Sequence, residues 1–117
     1  MPLILVGTPI GNLDDLSPRA VAALASADAI CCEDTRRTGR LLQHAGVPRK
    51  PLIVVNDHTE TAAVDGVLAR LAAGERVVVV TDAGMPGISD PGERLAQATV
   101  EAGHVLEVVP GPSAAIT

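Results

Sequence analysis

Phenylalanine, tryptophan and tyrosine are absent from this 117-residue chain. Its core must therefore be aliphatic, with alanine-rich helices lying close to whatever they cover. The same absence removes the aromatic platforms on which nucleic-acid bases stack. Cysteine is scarce, with only Cys31 and Cys32. Neighbours on a strand point to opposite faces, so the two read as separate buried thiols. A bond between them would be strained, and no histidine stands at the spacing of a zinc site. Such usage suits a reducing compartment and predicts a cytoplasmic protein. No apolar run reaches membrane-spanning length, and Met1-Pro2 leads into the short apolar run Leu3 to Val6, unlike a secretory signal. An excess of positive charge is missing too: the formal net charge is −5, which gives no overall field for nucleic acid. The basic residues are nonetheless uneven, since five of the nine (Arg36, Arg37, Arg40, Arg49 and Lys50) lie between positions 36 and 50.

What is present is an alternation of short apolar runs with helical patterns. Leu3 to Val6 reads as a first strand, followed by the loop Gly7 to Asn12. Ser17-Pro18 caps a helix with Ala20, Val21, Leu24 and Ala25 on one face. Ala27 to Cys32 is a second strand, and Asp34 or Thr35 caps a helix that runs to about Ala45 and stops at Gly46. Leu52 to Val55 is a third strand. The polar loop Asn56 to Glu60 caps a helix whose apolar face is Val64, Val67, Leu68 and Leu71, ended by Gly74. Val77 to Val80 is four valines in succession, which suits a strand buried on both faces. A helix from about Pro91 to Ala102, a strand from Val105 to Val109, and a turn at Pro110 to Ser113 into a last helix complete the pattern. Strand and helix alternating in this way predict an α/β fold: a parallel sheet with right-handed crossovers and helices on both faces.

The segment from Thr81 to Gly92 stands out. Its twelve residues hold three glycines, two prolines and two aspartates, a stiff irregular connection far longer than a strand-to-helix turn requires. Asp90, Pro91 and Glu93 read as the cap, first position and capping-box partner of the helix behind it. Together with Gly7 to Asn12 and Pro110 to Ser113, the segment leaves the carboxyl end of a strand, where open α/β sheets bind ligands. The plainer reading is that the two shorter loops are only tight connections. The dinucleotide fingerprint and the phosphate-binding loop are both unmatched. Two polar constellations sit at other strand ends. Glu33-Asp34-Thr35-Arg36 sets two carboxylates before arginines suited to phosphates, or is simply a capped helix with solvated arginines. Asn56-Asp57-His58-Thr59-Glu60 sets a histidine between carboxylates. It offers a general base, or a capping box of Asp57 with Glu60 beside an exposed His58. His44 and His104 fall near helix ends. Ser89 lacks the context of a nucleophile elbow.

Taken together, V-G-T-P-I-G-N-L-D-D-L-S-P-R-A, C-E-D-T-R-R-T-G-R-L-L, N-D-H-T-E, V-T-D-A-G-M-P-G-I-S-D-P-G and V-V-P-G-P-S-A-A closely resemble the tetrapyrrole methylase superfamily. Within it they are most similar to the branch that methylates the ribose 2′-oxygen of a cytidine in 16S ribosomal RNA. Ala83-Gly84-Met85-Pro86-Gly87 stands where the corrin and sirohaem members usually carry G-D-P. The resemblance implies a five-stranded parallel sheet of order 3-2-4-1-5 as the amino-terminal domain, spanning residues 1–117, of a two-domain protein, usually a homodimer. It implies S-adenosyl-L-methionine as cofactor, in a cleft between the domains. The implied cofactor contacts are Pro9, Asp82, Gly84, Gly87, Ile88, Ser89, Ser113 and Ala114. Glu33, Thr35, Arg36 and Asn56 are implied on the substrate side, with Asp34, Asp57, His58 and Glu60 as catalytic candidates. The second domain is expected to lie outside this chain, because residues 113–117 stop within a predicted helix; the fragment alone is then expected to be inactive.

The chemistry implied is displacement at a sulfonium methyl by a hydroxyl, which needs positioning and a proton acceptor and calls for no metal. Two other functions stay open on the sequence: a tetrapyrrole C-methyltransferase, and a nucleotide-binding module without catalysis.

Overall fold

The computed structural model describes residues 2–7, 16–55, 59–81 and 92–109. Among these residues strand and helix alternate in the order β1 (Leu3–Gly7), α1 (Pro18–Ser26), β2 (Ala29–Cys32), α2 (Thr35–His44), β3 (Leu52–Val54), α3 (Glu60–Ala72), β4 (Val77–Thr81), α4 (Gly92–Glu101) and β5 (Leu106–Val109). The strands form one sheet of order β3-β2-β4-β1-β5, and every pairing is parallel. This is the architecture the sequence predicts.

The side of the sheet that each helix covers follows from handedness. A right-handed crossover places its helix according to the direction in which the chain steps across the sheet. From β1 to β2 to β3 the chain steps one way, and from β3 to β4 to β5 it steps back. Accordingly α1 and α2 share one face, packing Ala20, Ala23, Leu24, Leu41 and Leu42 on Ile4, Val6, Ile30, Val78 and Val80. On the other face, α3 and α4 pack Ala63, Val67, Leu71, Leu95 and Ala96 on Leu3, Leu5, Cys31, Val77 and Val79. Consecutive strand residues divide between the two cores, which is the period of two made visible. All four valines of β4 are buried. Each large aliphatic side chain fully withdrawn from water contributes about 1.5–3 kcal/mol.

Several boundaries and faces differ from the sequence reading. In α1 the buried residues are Ala20, Ala23 and Leu24, while Val21 is half-buried and Ala25 is exposed. Ala23, having no side chain beyond Cβ, lets the helix turn that side to the sheet. β2 begins at Ala29 and not Ala27, because Ala27 is the C-cap of α1. Asp28 then turns the chain, donating its N–H to the Arg76 carbonyl at 2.8 Å and accepting the Arg76 N–H on Oδ2 at 2.8 Å. β5 begins at Leu106, one residue later than expected. Thr59 occupies the N-cap position of α3 and Glu60 is its first helical residue; the capping box of Asp57 with Glu60 lies outside the described residues. The assignment of Asp90 and Pro91 as cap and first position lies outside the described residues. Gly46 and Gly74 follow α2 and α3 with φ of 71° and 89°, a conformation that a side chain would strain. Among the described residues, no helix is long and apolar enough to cross a membrane.

Candidate functional site

In a parallel sheet every strand points the same way, so the segments that follow all five strands issue from one edge. The sheet order sorts them. Gly7 of β1 is in register with Thr81 of β4, and Val109 of β5 with Val6 of β1. The three glycine- and proline-bearing segments that follow therefore depart from three neighbouring strand ends, β4, β1 and β5. β1 and β4 send their helices to opposite faces, so a crevice opens between their carboxyl ends, the arrangement at which α/β sheets hold ligands. The next two positions along the edge belong to β2 and β3, where Cys32 is in register with Val54. These also send their helices to opposite faces. Glu33-Asp34-Thr35-Arg36 and Asn56 to Glu60 thus leave adjacent strand ends, next to the β4 end. The motifs assigned to cofactor and those assigned to substrate form two contiguous groups along one edge.

At the β2–α2 corner the chemistry is described atom by atom. Asp34 is the N-cap of α2, and its Oδ1 accepts the N–H of Arg36 at 2.9 Å and of Arg37 at 3.2 Å. One carboxylate oxygen is thereby held by the helix terminus, while the residue stays exposed. Glu33, Thr35 and Arg36 are exposed beside it. At the β3–α3 corner, the Val55 N–H donates to the Cys32 carbonyl at 2.9 Å, carrying the strand pairing one step past β3. The Thr59 hydroxyl donates to the Val54 carbonyl at 2.9 Å, tying the start of α3 back to the strand end. The sequence reading gave Thr59 no role of its own; a threonine just before a helix is the signal for such a tie.

Pro9, Asn56, Asp57, His58, Asp82, Gly84, Gly87, Ile88, Ser89, Ser113 and Ala114 lie outside the described residues. Glu60 is the first residue of α3, which puts its backbone at the same edge.

Cys31 and Cys32 are both buried and neither is in a disulfide. Burial pushes the Cys31 thiol up to about 12, with repulsion from Cys32 adding to the effect and Arg70 opposing it. A thiol held neutral in this way is a core side chain rather than a nucleophile. The structure also gives a shape to the basic cluster seen in the sequence: Arg49 and Lys50, on the connection into β3, flank the same groove as Arg36 and Arg40 of α2.

The family model described as tetrapyrrole (corrin/porphyrin) methylases matches residues 2–117. Among curated proteins, the chain is 50% identical over 112 residues to the ribosomal RNA small subunit methyltransferase I of Synechocystis, covering 96% of this chain and 39% of that protein. It is 46% identical over 115 residues to the protein of the same name from Escherichia coli O157:H7, covering 98% of this chain and 40% of the relative. The chain thus spans about two fifths of the length of these relatives. Among solved structures, it superposes with a TM-score of 0.73 and 21% identity on a uroporphyrin III C-methyl transferase from Thermus thermophilus, covering 95% of this chain and 48% of that one. The methyltransferase CobJ gives 0.71 and 27%, covering 93% and 45%. With its sheet order, its strand-end motifs and the family match all in agreement, this chain belongs to the tetrapyrrole (corrin/porphyrin) methylases.

Proposed function

We propose that the full-length protein is an S-adenosylmethionine-dependent methyltransferase that modifies the ribose 2′-hydroxyl of a cytidine in 16S ribosomal RNA. The observation that carries this reading is the contrast in similarity within one fold. Identity is 50% and 46% to relatives named for small-subunit ribosomal RNA, against 21% and 27% to the uroporphyrin and CobJ enzymes. The Ala83 to Gly87 segment, in place of G-D-P, supports the same branch.

The three neighbouring strand ends of β4, β1 and β5 suit a folded, elongated cofactor, for which the contacts would be Pro9, Asp82, Gly84, Gly87, Ile88, Ser89, Ser113 and Ala114. When bound, S-adenosylmethionine supplies a methyl group on a positively charged sulfur. The task left to the protein is to align the ribose oxygen with that methyl and to accept the hydroxyl proton as the carbon–oxygen bond forms and the carbon–sulfur bond breaks. Asp34, Asp57, His58 and Glu60 are the candidates for the acceptor. Asp34 keeps Oδ2 clear of the cap that holds Oδ1. Glu33, Thr35, Arg36 and Asn56 would orient the nucleotide. A second domain would close the cleft from the other side, a homodimer would be the working form, and the cytoplasm its location.

Offering labelled S-adenosylmethionine to the full-length protein with small-subunit RNA and, separately, with a uroporphyrinogen or corrin precursor tests the reading. Label in RNA alone is expected. Label only in the tetrapyrrole establishes the C-methyltransferase alternative. Nucleotide binding without transfer to either substrate establishes a non-catalytic module.

A further inference from the structure

From Thr35 to Asn56 the chain contains none of its fourteen acidic residues, yet it carries five of its nine basic ones. In a molecule of net charge −5 this stretch is a local inversion of sign. The fold gives it a shape. Arg36, Gly39, Arg40 and Gln43 recur at helical spacing on the exposed side of α2, opposite the buried Thr38, Leu41 and Leu42. Arg49 and Lys50 come alongside from the connection into β3. The result is an open groove of about 720 Å³ lined by these residues. Gly39 forms a bare stretch of its lining, and a Cβ built there would meet nothing within 4 Å. Lys50 is held in place, donating from Nζ to the Ala25 carbonyl near the end of α1 at 2.8 Å. Among the described residues, no carboxylate pairs with Arg36, Arg40 or Arg49. The ten-residue helix is about 15 Å long and runs antiparallel to the strands. The groove therefore begins at the β2 end of the functional edge and leads away from it toward the amino end of β3.

We propose that this groove holds the phosphate backbone of the RNA next to the nucleotide being methylated; the inference rests on the RNA reading above and deepens it. Arg36 and Arg40 stand one turn apart on α2, with Arg49 and Lys50 alongside from the connection into β3, a spread of cations that suits successive phosphates. With no Phe, Trp or Tyr in the chain, the large aromatic platforms for bases are absent, and the arginines and lysine of the groove offer charge to the phosphate backbone. Within a chain of net charge −5, this stretch is where a polyanion meets local positive charge.

The test is RNA binding by the full-length protein across a salt series, with turnover measured in parallel. In Arg40→Ala/Arg49→Ala, the slope of log affinity against log salt should flatten by about 0.7–0.9 for each cation removed. Affinity near physiological salt should fall about ten- to thirtyfold by the same relation, and KM for RNA should rise in step. Calorimetric affinity for S-adenosylmethionine should not move. Arg40→Lys/Arg49→Lys should keep the slope, because charge and not the guanidinium fork is at work, and exposed Arg19→Ala on α1 should behave as the unchanged protein. An unaltered slope and KM in the double alanine variant, with methylation of RNA intact, would overturn the groove and leave the enzyme reading standing. Failure of the unchanged protein to methylate small-subunit RNA would overturn the enzyme reading and the groove with it.

Discussion

Asp34 carries two assignments that one pair of substitutions separates. As the N-cap of α2 it satisfies two backbone N–H groups, so Asp34→Ala should cost about 1 kcal/mol in urea unfolding. Asp34→Asn keeps a capping oxygen and should lose far less stability. If Asp34 also accepts the ribose proton, Asp34→Asn should retain the fold and lose turnover. Cys31 is the other informative residue. Its thiol ionises near 9.0 when unfolded and is pushed up to about 12 by burial in the folded chain. The unfolded state therefore releases its proton first, so stability is fully present below about pH 9 and declines as pH rises toward 12. A thiol reagent at pH 8 should leave Cys31 unmodified until denaturant is added; rapid reaction of the folded protein at Cys31 would contradict its burial.

Glycine has opposite meanings in and after the helices. Gly39 lies inside α2 and Gly66 inside α3 with open space where a Cβ would be, so alanine at either should stabilise the fold by about 0.5–1 kcal/mol. Gly74, at φ 89°, should instead be destabilised by the same change. Thermal melts of the three variants check the contrast. Helix stops of this kind were legible in the sequence, as were the buried valine strand and the alternation that forces a parallel sheet. The strand order 3-2-4-1-5 was legible only through family resemblance, because β-strand patterning says which face is buried and not which strand is the neighbour. That the polar loop before α3 caps it was legible as well, but Asp57, Thr59 and Glu60 all suit a helix terminus, so the letters alone did not single out Thr59 as the N-cap. Arg49 and Lys50 were visible as charges, but their alignment with Arg40 depends on how the chain returns into β3, which no local pattern encodes.

At the scale of the whole molecule, the sheet order sets the starts of five separate motifs along one edge, with the segments proposed for cofactor following β4, β1 and β5 and those proposed for substrate following β3 and β2. The groove along α2 extends that edge with positive charge in an otherwise acidic chain. Core truncation should affect the whole: Leu24, fully buried on the α1 face, should lose about 2–5 kcal/mol on replacement by alanine, read as a lower urea midpoint. The most direct measurement for the central claim is nucleoside mass spectrometry of small-subunit RNA after incubation with the full-length protein and S-adenosylmethionine. The account predicts one new product, 2′-O-methylcytidine, with no methyl on a base. Methylation confined to a nucleobase, or no RNA product while a tetrapyrrole precursor is methylated, would contradict it.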